Sequence, residues 1–354
     1  MRILVLGGGA QGRVIATDLA RSLSGDRVTV ADVKDPELPA LPNLAWLEAD
    51  CSAATATARL MRDHDFAVGA LPARLGYGAM RAAIEAGRDL VDVSFCAEDA
   101  LALEADARAA RVAILPDCGL APGLSNLTVG EMLSRHGTPD EIMIMVGGVS
   151  QDRARPYGYV VTWSVDDLLE EYTRPARIVS GGRRVAVPVF SGYERVPVDG
   201  VGEMEAFYSD GLRTLLDTVP GVREMGEKTL RWPGHAAAVQ PLVAAGRLVE
   251  ELRARCTEPE PSDLAVLRIV LRWGGRERLV TLVERADPIL RLSAMARTTA
   301  CTCSVVAQLV ASGAAIERGV QPLERVGRDL GAAAFIHERL AGRGVRLVER
   351  EVVA

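Results

Sequence analysis

A glycine-rich turn directly after the first apolar run is the feature that most constrains this chain. The sequence opens MRILVLGGGAQGRVIATDLA, so that Gly7, Gly9 and Gly12 separate a strand-like run from a segment with helical apolar spacing. In such a turn the first glycine makes a tight bend, the second lets phosphates approach the backbone, and the third lets helix and strand pack closely. Ala10 and Gln11 open the helix, where free N–H groups attract an anion. A turn without a ligand is the alternative interpretation.

An acidic residue twenty positions after the last of these glycines favours a dinucleotide as the ligand. Asp32 ends the second apolar run, where a carboxylate can accept hydrogen bonds from both hydroxyls of an adenosine ribose. The same carboxylate repels a 2′-phosphate, so the sequence predicts NAD as the cofactor in preference to NADP. Lys34, two residues further on, is a cation that favours the opposite choice.

Apolar runs alternate with helical segments as far as Pro116. The runs are RILVL, RVTVA (27–31), NLAWL (43–47), FAVGAL (66–71), DLVDVS (89–94) and RVAIL (111–115). Six strand units with helices between them are typical of a parallel, doubly wound sheet. The sequence therefore predicts an α/β domain of the Rossmann type over residues 1–122.

The pattern changes after Asn126 to strand-like runs without regular helices between them. The predicted strands lie at 141–149, 158–164, 177–189 and 267–283, and the last two runs contain Gly-Gly pairs of the kind that hairpins prefer. We therefore predict an α+β domain with a mainly antiparallel sheet over residues 123–315, for substrate binding and oligomerisation. Residues 316–354, with a helix and a strand, form a C-terminal segment predicted to pack back on the first domain.

Composition and charge restrict the partners of the chain. Among 354 residues the net charge is −6 with mixed signs, which argues against nucleic acid or a membrane surface and favours a small molecule. No secretory signal precedes the first strand, so we expect a cytoplasmic protein. The apolar segment 289–311 contains Arg291 and Arg297 and is predicted to be a core or interface helix. No cysteine or histidine spacing indicates a metal site.

Long stretches of both predicted domains resemble the saccharopine dehydrogenase superfamily, and within it the lysine 6-dehydrogenases. These stretches are VGALPARLGYGAMRAAIEAG (68–87), VDVSF (91–95), DCGLAPGLSN (117–126), TWSVDDLLEEYTRPAR (162–177), TLRWPGH (229–235) and SAMARTTACT (293–302). The resemblance implies a homodimer or larger homo-oligomer and a role in lysine degradation. The implied activity is NAD-dependent oxidation of the ε-amine of L-lysine to 2-aminoadipate 6-semialdehyde, which cyclises to a piperideine carboxylate, with release of ammonia.

The ends of the predicted strands supply further candidate cofactor ligands, because ligands of open parallel sheets bind beyond the carboxyl ends of the strands. The residues at these positions are Asp50, Ala70, Leu71, Pro72, Ser94, Phe95 and Pro122. Residues 70–72 are expected to line the adenosine ribose and the nicotinamide, with a plain turn as the alternative. Ser94 is expected to face the nicotinamide, and Phe95 its substrate side. Asp50 is either an acceptor for the adenine amino group or an acidic loop residue.

An α-amino-acid substrate needs a cation for its carboxylate, and arginine grips a carboxylate through two hydrogen bonds. Arg231 and Arg174 are the candidates, each with a structural ion pair as the alternative role. Trp163 and Tyr172 are candidate walls for the aliphatic chain, although lone aromatic residues more commonly pack in a core.

Oxidation of an amine also needs a base or a desolvating pocket, because the ε-ammonium has an ordinary pKa of about 10.4. His235 is the candidate imidazole, with a capping or core role equally open, and Asp92 and Asp117 are rival bases at strand ends.

Three alternatives stay open at this point. In saccharopine reductases the segment matching residues 120–123 carries an acidic residue where this chain has Ala121, which favours the lysine 6-dehydrogenase interpretation. A saccharopine reductase, a carboxynorspermidine-type dehydrogenase and an inactive cofactor-binding regulatory protein are the other candidates.

Overall fold

The computed structural model describes residues 1–289 and 291–353. Contacts between residues divide the chain into two compact units. Unit 1 comprises Met1–Arg135 and Thr298–Gly344, and unit 2 comprises His136–Arg297 and the described residues from Val345 onwards.

The first 136 residues alternate strands and helices. The strands are β1 (Arg2–Leu6), β2 (Arg27–Asp32), β3 (Leu44–Glu48), β4 (Phe66–Gly69), β5 (Asp89–Asp92) and β6 (Ala113–Leu115). The helices are α1 (Ala10–Ser22), α2 (Ala54–Arg62), α3 (Ala73–Ala86), α4 (Glu104–Ala109) and α5 (Leu124–His136), with a 3₁₀ turn at Ala100–Leu103.

Strands predominate from residue 137 to residue 289. They are β7 (Glu141–Ser150), β8 (Ala176–Ser180), β9 (Arg183–Val187), β10 (Glu194–Val198), β11 (Gly202–Tyr208), β12 (Glu224–Arg231), β13 (Asp263–Trp273) and β14 (Arg276–Arg285). The helices of this stretch are α6 (Val165–Glu171), α7 (Leu215–Thr218), α8 (His235–Ala244) and α9 (Leu248–Arg255), with a 3₁₀ turn at Pro156–Gly158.

The remaining elements follow residue 293. They are α10 (Ala294–Ala311), β15 (Gly319–Val320), α11 (Leu323–Val326), α12 (Leu330–Ala341) and β16 (Val348–Val353).

Unit 1 is built on a seven-stranded parallel sheet in the order β15-β6-β5-β4-β1-β2-β3. The central strands β1 and β4 are buried almost along their whole length, as expected for parallel strands covered on both faces. The chain starts at β1 and builds the sheet outward in both directions, so the order of the strands reverses there. This reversal is the point at which open parallel sheets bind ligands. The predicted Rossmann-type fold is confirmed.

Unit 2 contains a nine-stranded mixed sheet whose main path runs β10-β11-β12-β7-β13-β14-β16, while β8 pairs with β12 and β9 pairs with β8. Only β7 and β12 pair in parallel, and the other pairs are antiparallel. The two predicted hairpins are present: Gly181 and Gly182 both have positive φ between β8 and β9, and Gly274 has positive φ between β13 and β14. The predicted mainly antiparallel α+β fold is confirmed.

One predicted strand is wrong. Residues 158–164 pair with no strand in the described part of the chain; they form irregular backbone that leads into α6, whose N-terminus is capped by the Ser164 hydroxyl. Tyr159 and Val160 are buried, and Val161 N donates to the carbonyl of Cys256 at 2.8 Å. The apolar residues of this segment therefore pack in a side-chain cluster instead of forming a strand.

The limits of the units differ from the predicted domain limits at residues 122 and 315. Helix α5 belongs to unit 1, since its Asn126 donates to buried Glu324 at 3.0 Å and its Gly130 lies against the backbone of the same glutamate. Most of α10 also belongs to unit 1, because the limit falls after Arg297. Residues 316–344 lie in unit 1, whereas β16 pairs with β14 in unit 2.

Candidate functional site

The glycine turn of unit 1 depends on the absence of side chains at two of its glycines. Gly7 has a φ of +92°, and a Cβ atom at Gly12 would lie 1.9 Å from the carbonyl oxygen of Gly7. A Cβ atom at Gly9, by contrast, would have no atom within 4 Å, so this side of the turn is open. Helix α1 begins at Ala10, and no side chain of the described residues caps it, which leaves its first N–H groups available to an anion.

Asp32 lies beside this turn, at the end of β2. Its carboxylate accepts hydrogen bonds from Gly8 N at 2.6 Å and from Lys34 N at 3.0 Å. Asp50 follows β3 and is exposed, and hydrogen bonds from Ser52 lower the pKa of its carboxyl group. The carboxylates of Asp32 and Asp50 therefore lie at the ends of β2 and β3, on one side of the turn.

On the other side of the turn, the chain segments that follow β1, β4 and β5 contact one another. A Cβ atom at Gly7 would lie 2.6 Å from the carbonyl oxygen of Ala70, so these two chain segments are in contact. The hydroxyl of Ser94 donates to the carbonyl of Leu71 at 3.1 Å. Pro72 immediately precedes α3, and Phe95, which follows Ser94, is half-buried. The structure thus brings the predicted cofactor residues after β1, β4 and β5 to one edge of the sheet.

Asp92 and Asp117 are buried carboxyl groups at the ends of β5 and β6. Asp92 is 0% exposed, and this burial raises the pKa of its carboxyl group to about 8, although hydrogen bonds from Ser94 act in the opposite direction. The charge of neighbouring Asp117 raises it further. A Cβ atom at Gly69 would lie 1.8 Å from Asp92 Oδ2, so a glycine is required beside this carboxyl group. Asp92 is therefore largely protonated at neutral pH.

Pro122 lies in the short segment that leads from β6 into α5. A cis peptide bond joins it to Ala121, and Gly123 follows with a φ of +136°. The amide N–H of Gly123 donates to the side-chain oxygen of Asn126 at 3.2 Å, so the first turn of α5 is capped from within the chain.

These features of unit 1 fit a dinucleotide. The uncapped N-terminus of α1 and the open side of Gly9 can receive a pyrophosphate, and Asp32 stands where a ribose acceptor is needed. In addition, the side-chain oxygen of Gln11 is buried and has no hydrogen-bond partner among the described residues. A buried acceptor of this kind can receive a hydrogen bond from a hydroxyl group of a bound dinucleotide.

A buried cluster of unit 2 contains four predicted site residues: three candidate substrate residues and His235, a candidate base. Tyr172 directly follows α6, Arg231 ends β12, and His235 begins α8. Arg231 Nε donates to the Tyr172 hydroxyl oxygen at 2.7 Å, and that hydroxyl lies 2.9 Å from His235 Nε2. The fourth residue, Trp163, hydrogen-bonds the hydroxyl of buried Tyr159 and so lowers its pKa, against a larger rise caused by burial.

The hydrogen bonds of His235 assign its tautomer. Its Nδ1 lies 2.8 Å from the carbonyl oxygen of Tyr157, which can only accept, so Nδ1 carries the proton. The lone pair of Nε2 therefore accepts from the Tyr172 hydroxyl. Burial, reinforced by the charge of Arg231, lowers the pKa of His235 to about 3. His235 is neutral at physiological pH, and both ring nitrogens are occupied within the described structure, which argues against the predicted role as base.

Arg231 is a buried cation with part of its hydrogen-bonding capacity unused. The residue is 3% exposed, and its guanidinium carbon lies 5.4 Å and 5.5 Å from the ring centres of Tyr159 and Tyr172. Its Nη1 donates to the carbonyl of Leu230 at 2.9 Å. Its Nη2 makes no hydrogen bond to any described residue and lies 3.7 Å from Glu171 Oε1. The guanidinium is thus held in place while one nitrogen stays available.

Arg174 lies outside this cluster and is already paired. It donates to Glu170 at 2.6 Å and lies 3.7 Å from Asp210, which also receives a two-nitrogen contact from Arg177. The geometry favours the structural ion pair, which was the alternative role for Arg174.

Three residues of the cluster's surroundings were not predicted. Tyr159 and Glu171 are described above, and the third is buried Glu205 of β11, whose carboxylate accepts from the backbone N–H groups of Gly234 and Ala236 at 2.7 Å and 2.6 Å. Glu205 thereby caps the N-terminus of α8 and fixes the start of this helix at His235. Glu171 adjoins Tyr172 in sequence, so only its place beside a predicted residue could have indicated it.

No helix in the described part of the chain is both long and apolar enough to cross a bilayer. Within the same residues, no group of three or more His, Cys, Asp or Glu side chains converges in a way that could hold a metal ion.

Two family models match the chain. The model described as saccharopine dehydrogenase NADP binding domain matches residues 3–115, and that described as saccharopine dehydrogenase C-terminal domain matches residues 119–345. Among solved structures, apo histidine-tagged saccharopine dehydrogenase (L-Glu forming) from Saccharomyces cerevisiae is similar, with 18% identity, a TM-score of 0.77, and coverage of 99% of this chain and 100% of that chain. A probable dehydrogenase from Thermotoga maritima matches with 12% identity, a TM-score of 0.47, and coverage of 99% and 98%.

Proposed function

The chain belongs to the saccharopine dehydrogenase family of dinucleotide-binding oxidoreductases, and from this premise we propose that it catalyses the NAD-dependent oxidative deamination of the side-chain amine of L-lysine. A hydride and a proton leave the ε-carbon and ε-nitrogen, and water then converts the imine to 2-aminoadipate 6-semialdehyde and ammonia. The bound nicotinamide ring supplies the hydride acceptor. The observation that carries the proposal is Arg231, a buried guanidinium with an unused nitrogen, which suits the carboxylate of a substrate.

The preference for NAD is supported by Asp32. Its carboxylate is oriented by Gly8 N and Lys34 N beside the turn, where it favours two free ribose hydroxyls and repels a 2′-phosphate. The name of the matching family model refers to NADP instead. The kcat/KM values with NAD and with NADP must therefore be compared directly. Asp32→Ala should reduce the preference for NAD over NADP.

The residues of unit 2 have separate roles in this proposal. Arg231 binds the substrate carboxylate, and the Tyr159, Tyr172 and Trp163 side chains shield that ion pair from water. His235 is a positioning residue, because its neutral Nε2 orients the Tyr172 hydroxyl, which in turn orients Arg231 Nε.

For the base we retain Asp92 and Asp117. The pKa of about 8 for Asp92 means that its carboxylate forms only in alkaline solution. The ε-ammonium also loses its proton more readily there, so activity should rise towards alkaline pH. Separate pH profiles of Asp92→Asn and Asp117→Asn distinguish the two candidates.

The test measures NADH and ammonia together in the presence of L-lysine, then repeats the assay with saccharopine and with NADP. We expect NADH and ammonia in equal amounts from L-lysine and NAD. Arg231→Met should reduce kcat/KM by roughly two orders of magnitude, since a charged hydrogen-bond partner of the substrate is lost. Arg174→Met removes an arginine that is already paired and is the matched control. Turnover of saccharopine without ammonia, and none of lysine, would replace the proposed reaction by that of a saccharopine reductase.

We further propose a homodimer or larger homo-oligomer, on the basis of family membership. Helix α10, predicted as a core or interface helix, has most of its described side chains buried within the single chain, which favours the core role and gives no support for such an interface. Sedimentation velocity at micromolar concentration tests the assembly, and a monomeric mass would contradict it.

A further inference from the structure

We propose that Glu171 binds the α-ammonium group of the substrate, so that Glu171 and Arg231 together form a receptor for the zwitterionic end of an α-amino acid. This assignment rests on the proposed function in one respect, namely that Arg231 receives the α-carboxylate. It adds a specificity residue that selects α-amino acids against simple carboxylates and simple amines.

The distance between the two charged groups is suited to a bound zwitterion. Glu171 Oε1 lies 3.7 Å from Arg231 Nη2, which is within the range of an ion pair yet too long for a hydrogen bond. An α-amino acid carries its carboxylate and its ammonium on the same carbon atom. A receptor for it therefore needs a cation and an anion a few ångströms apart, each with unused hydrogen-bonding capacity.

Both groups meet this second requirement. Among the described residues, no hydrogen bond reaches Arg231 Nη2, and none reaches Glu171 Oε2. Each group is instead held by its other atoms: the guanidinium by Tyr172 and Leu230, and the carboxylate by Thr229. The pair is thus fixed in position, while the atoms that would contact a ligand stay unoccupied.

The hydroxyl chain behind Glu171 explains how its carboxylate is oriented. An ionised carboxylate only accepts hydrogen bonds, so Thr229 must donate its single hydroxyl proton to Glu171 Oε1. The Thr229 oxygen then accepts from the Ser209 hydroxyl, 2.9 Å away. This chain occupies Oε1 and leaves Oε2 to an ammonium.

Burial and charge balance also favour this role. The side chain of Arg231 is 4% exposed and that of Glu171 is 18% exposed, so the carboxylate is the more accessible of the pair. A zwitterion adds no net charge to the site, whereas a simple amine or a simple carboxylate leaves one member of a largely buried pair without a partner. Leaving a buried charge unpaired is strongly unfavourable.

The experiment compares two substrates that differ only in the α-ammonium group. L-lysine carries it and 6-aminohexanoate lacks it, while both have a carboxylate and a side-chain amine. In Glu171→Gln we expect kcat/KM for L-lysine to fall roughly 10- to 100-fold, because one charged hydrogen bond is lost. The value for 6-aminohexanoate should stay the same or rise, because this substrate leaves the wild-type Glu171 carboxylate without a partner. An equal fall for both substrates would make Glu171 a structural counter-ion of Arg231 and overturn the proposal.

Two further variants guard against loss of folding. Glu171→Asp keeps the charge on a shorter side chain and should retain part of the discrimination between the two substrates. Glu170→Gln changes the adjacent glutamate, which pairs with Arg174, and should leave the discrimination unchanged.

Binding measurements separate this proposal from the proposed reaction. L-norleucine has the zwitterionic end but no side-chain amine, and hexanoate and hexylamine each carry one of its two charges. By calorimetry, the wild type should bind norleucine more tightly than either single-charge ligand, and Glu171→Gln should lose that advantage. If norleucine binds in this way but the wild type does not oxidise lysine, the proposed reaction is refuted and the receptor is upheld. Equal affinity of wild type and Glu171→Gln for norleucine, or no binding by either, would overturn the receptor.

Discussion

Replacing Asp92 by Asn should change how the stability of the protein depends on pH. Asp92 is fully buried, and its pKa is raised from an ordinary value of 3.8 to about 8, mainly by burial. Between these two values the folded protein keeps the carboxyl group protonated, whereas the unfolded chain ionises it. The contribution of Asp92 to stability is therefore fully present below pH 3.8 and is lost as the pH rises towards 8.

The size of the effect follows from the single proton that unfolding releases. Each pH unit within this window lowers the free energy of unfolding by about 1.4 kcal/mol, so from pH 5 to pH 7 the loss is about 3 kcal/mol. Asn has a similar shape and is neutral at every pH, so the variant lacks this term. Its stability relative to the wild type should rise by the same amount over the same range.

Urea denaturation of both proteins at pH 5, 6 and 7, followed by circular dichroism, measures this difference. All other titrating groups are present in both proteins and cancel when the two are compared at each pH. His235 is one of them, and its effect has the opposite sign: with a pKa lowered to about 3, it costs stability as the pH falls below 6.5. A difference between wild type and Asp92→Asn that stays constant from pH 5 to pH 7 would show that Asp92 is ionised in the folded protein and refute the reasoning.

Three further variants test the glycine turn and the substrate cluster. Gly9→Ala adds a Cβ atom with no neighbour within 4 Å, so we expect an unchanged Tm and a Kd for NADH at least 10-fold higher; Gly12→Ala, whose Cβ would lie 1.9 Å from a carbonyl oxygen, should lower both stability and affinity. Fluorescence titration and calorimetry measure the two quantities, and normal NADH binding by Gly9→Ala would contradict the pyrophosphate assignment. Tyr172→Phe leaves Arg231 Nε and His235 Nε2 buried without a partner and should cost about 2–3 kcal/mol in urea denaturation; an unchanged midpoint would mean that water replaces the hydroxyl.

The fold of unit 1 could be predicted because its sequence follows local rules. Strands β1 and β4 are buried on both faces and therefore appear as continuous apolar runs, and Gly7 and Gly12 are required because their backbones lie in close contact. The position of Asp32 beside the glycine turn could be predicted from its distance along the chain alone, since the second strand of such a sheet ends beside the first turn.

Strand β12 shows why part of unit 2 could not be predicted. Its sequence EMGEKTLR has the charged residues of a surface segment, yet all but its first residue are buried. Lys228 reaches Glu194 and the carbonyl of Gly192, and its ammonium lies 4.8 Å from the ring centre of Tyr208. These partners come from distant parts of the chain, so nothing in the local sequence indicates that the lysine is buried.

The sequence indicated Arg231, His235 and Tyr172 as candidate site residues but not how they are arranged. Arg231 and His235 belong to one short motif, but the hydroxyl that links them comes from Tyr172, 59 residues before Arg231 and 63 before His235. The sequence alone offered His235 as a candidate base, with a capping or core role equally open. Its two hydrogen bonds, to Tyr172 and to the carbonyl of Tyr157, exist only in the folded unit and argue against a role as base.

The charge of this cluster narrows the choice between the candidate substrates. The Tyr172 hydroxyl accepts from Arg231 and can donate its one proton only to a neutral His235, so the histidine adds no second positive charge. The charges of Arg231 and Glu171 then balance each other. L-lysine brings one carboxylate and one α-ammonium to this pair, which keeps that balance, whereas saccharopine brings three carboxylates, and Arg174 is already paired with Glu170 and Asp210. Because unpaired charges in a buried site are strongly unfavourable, the arrangement around Arg231 favours the smaller substrate.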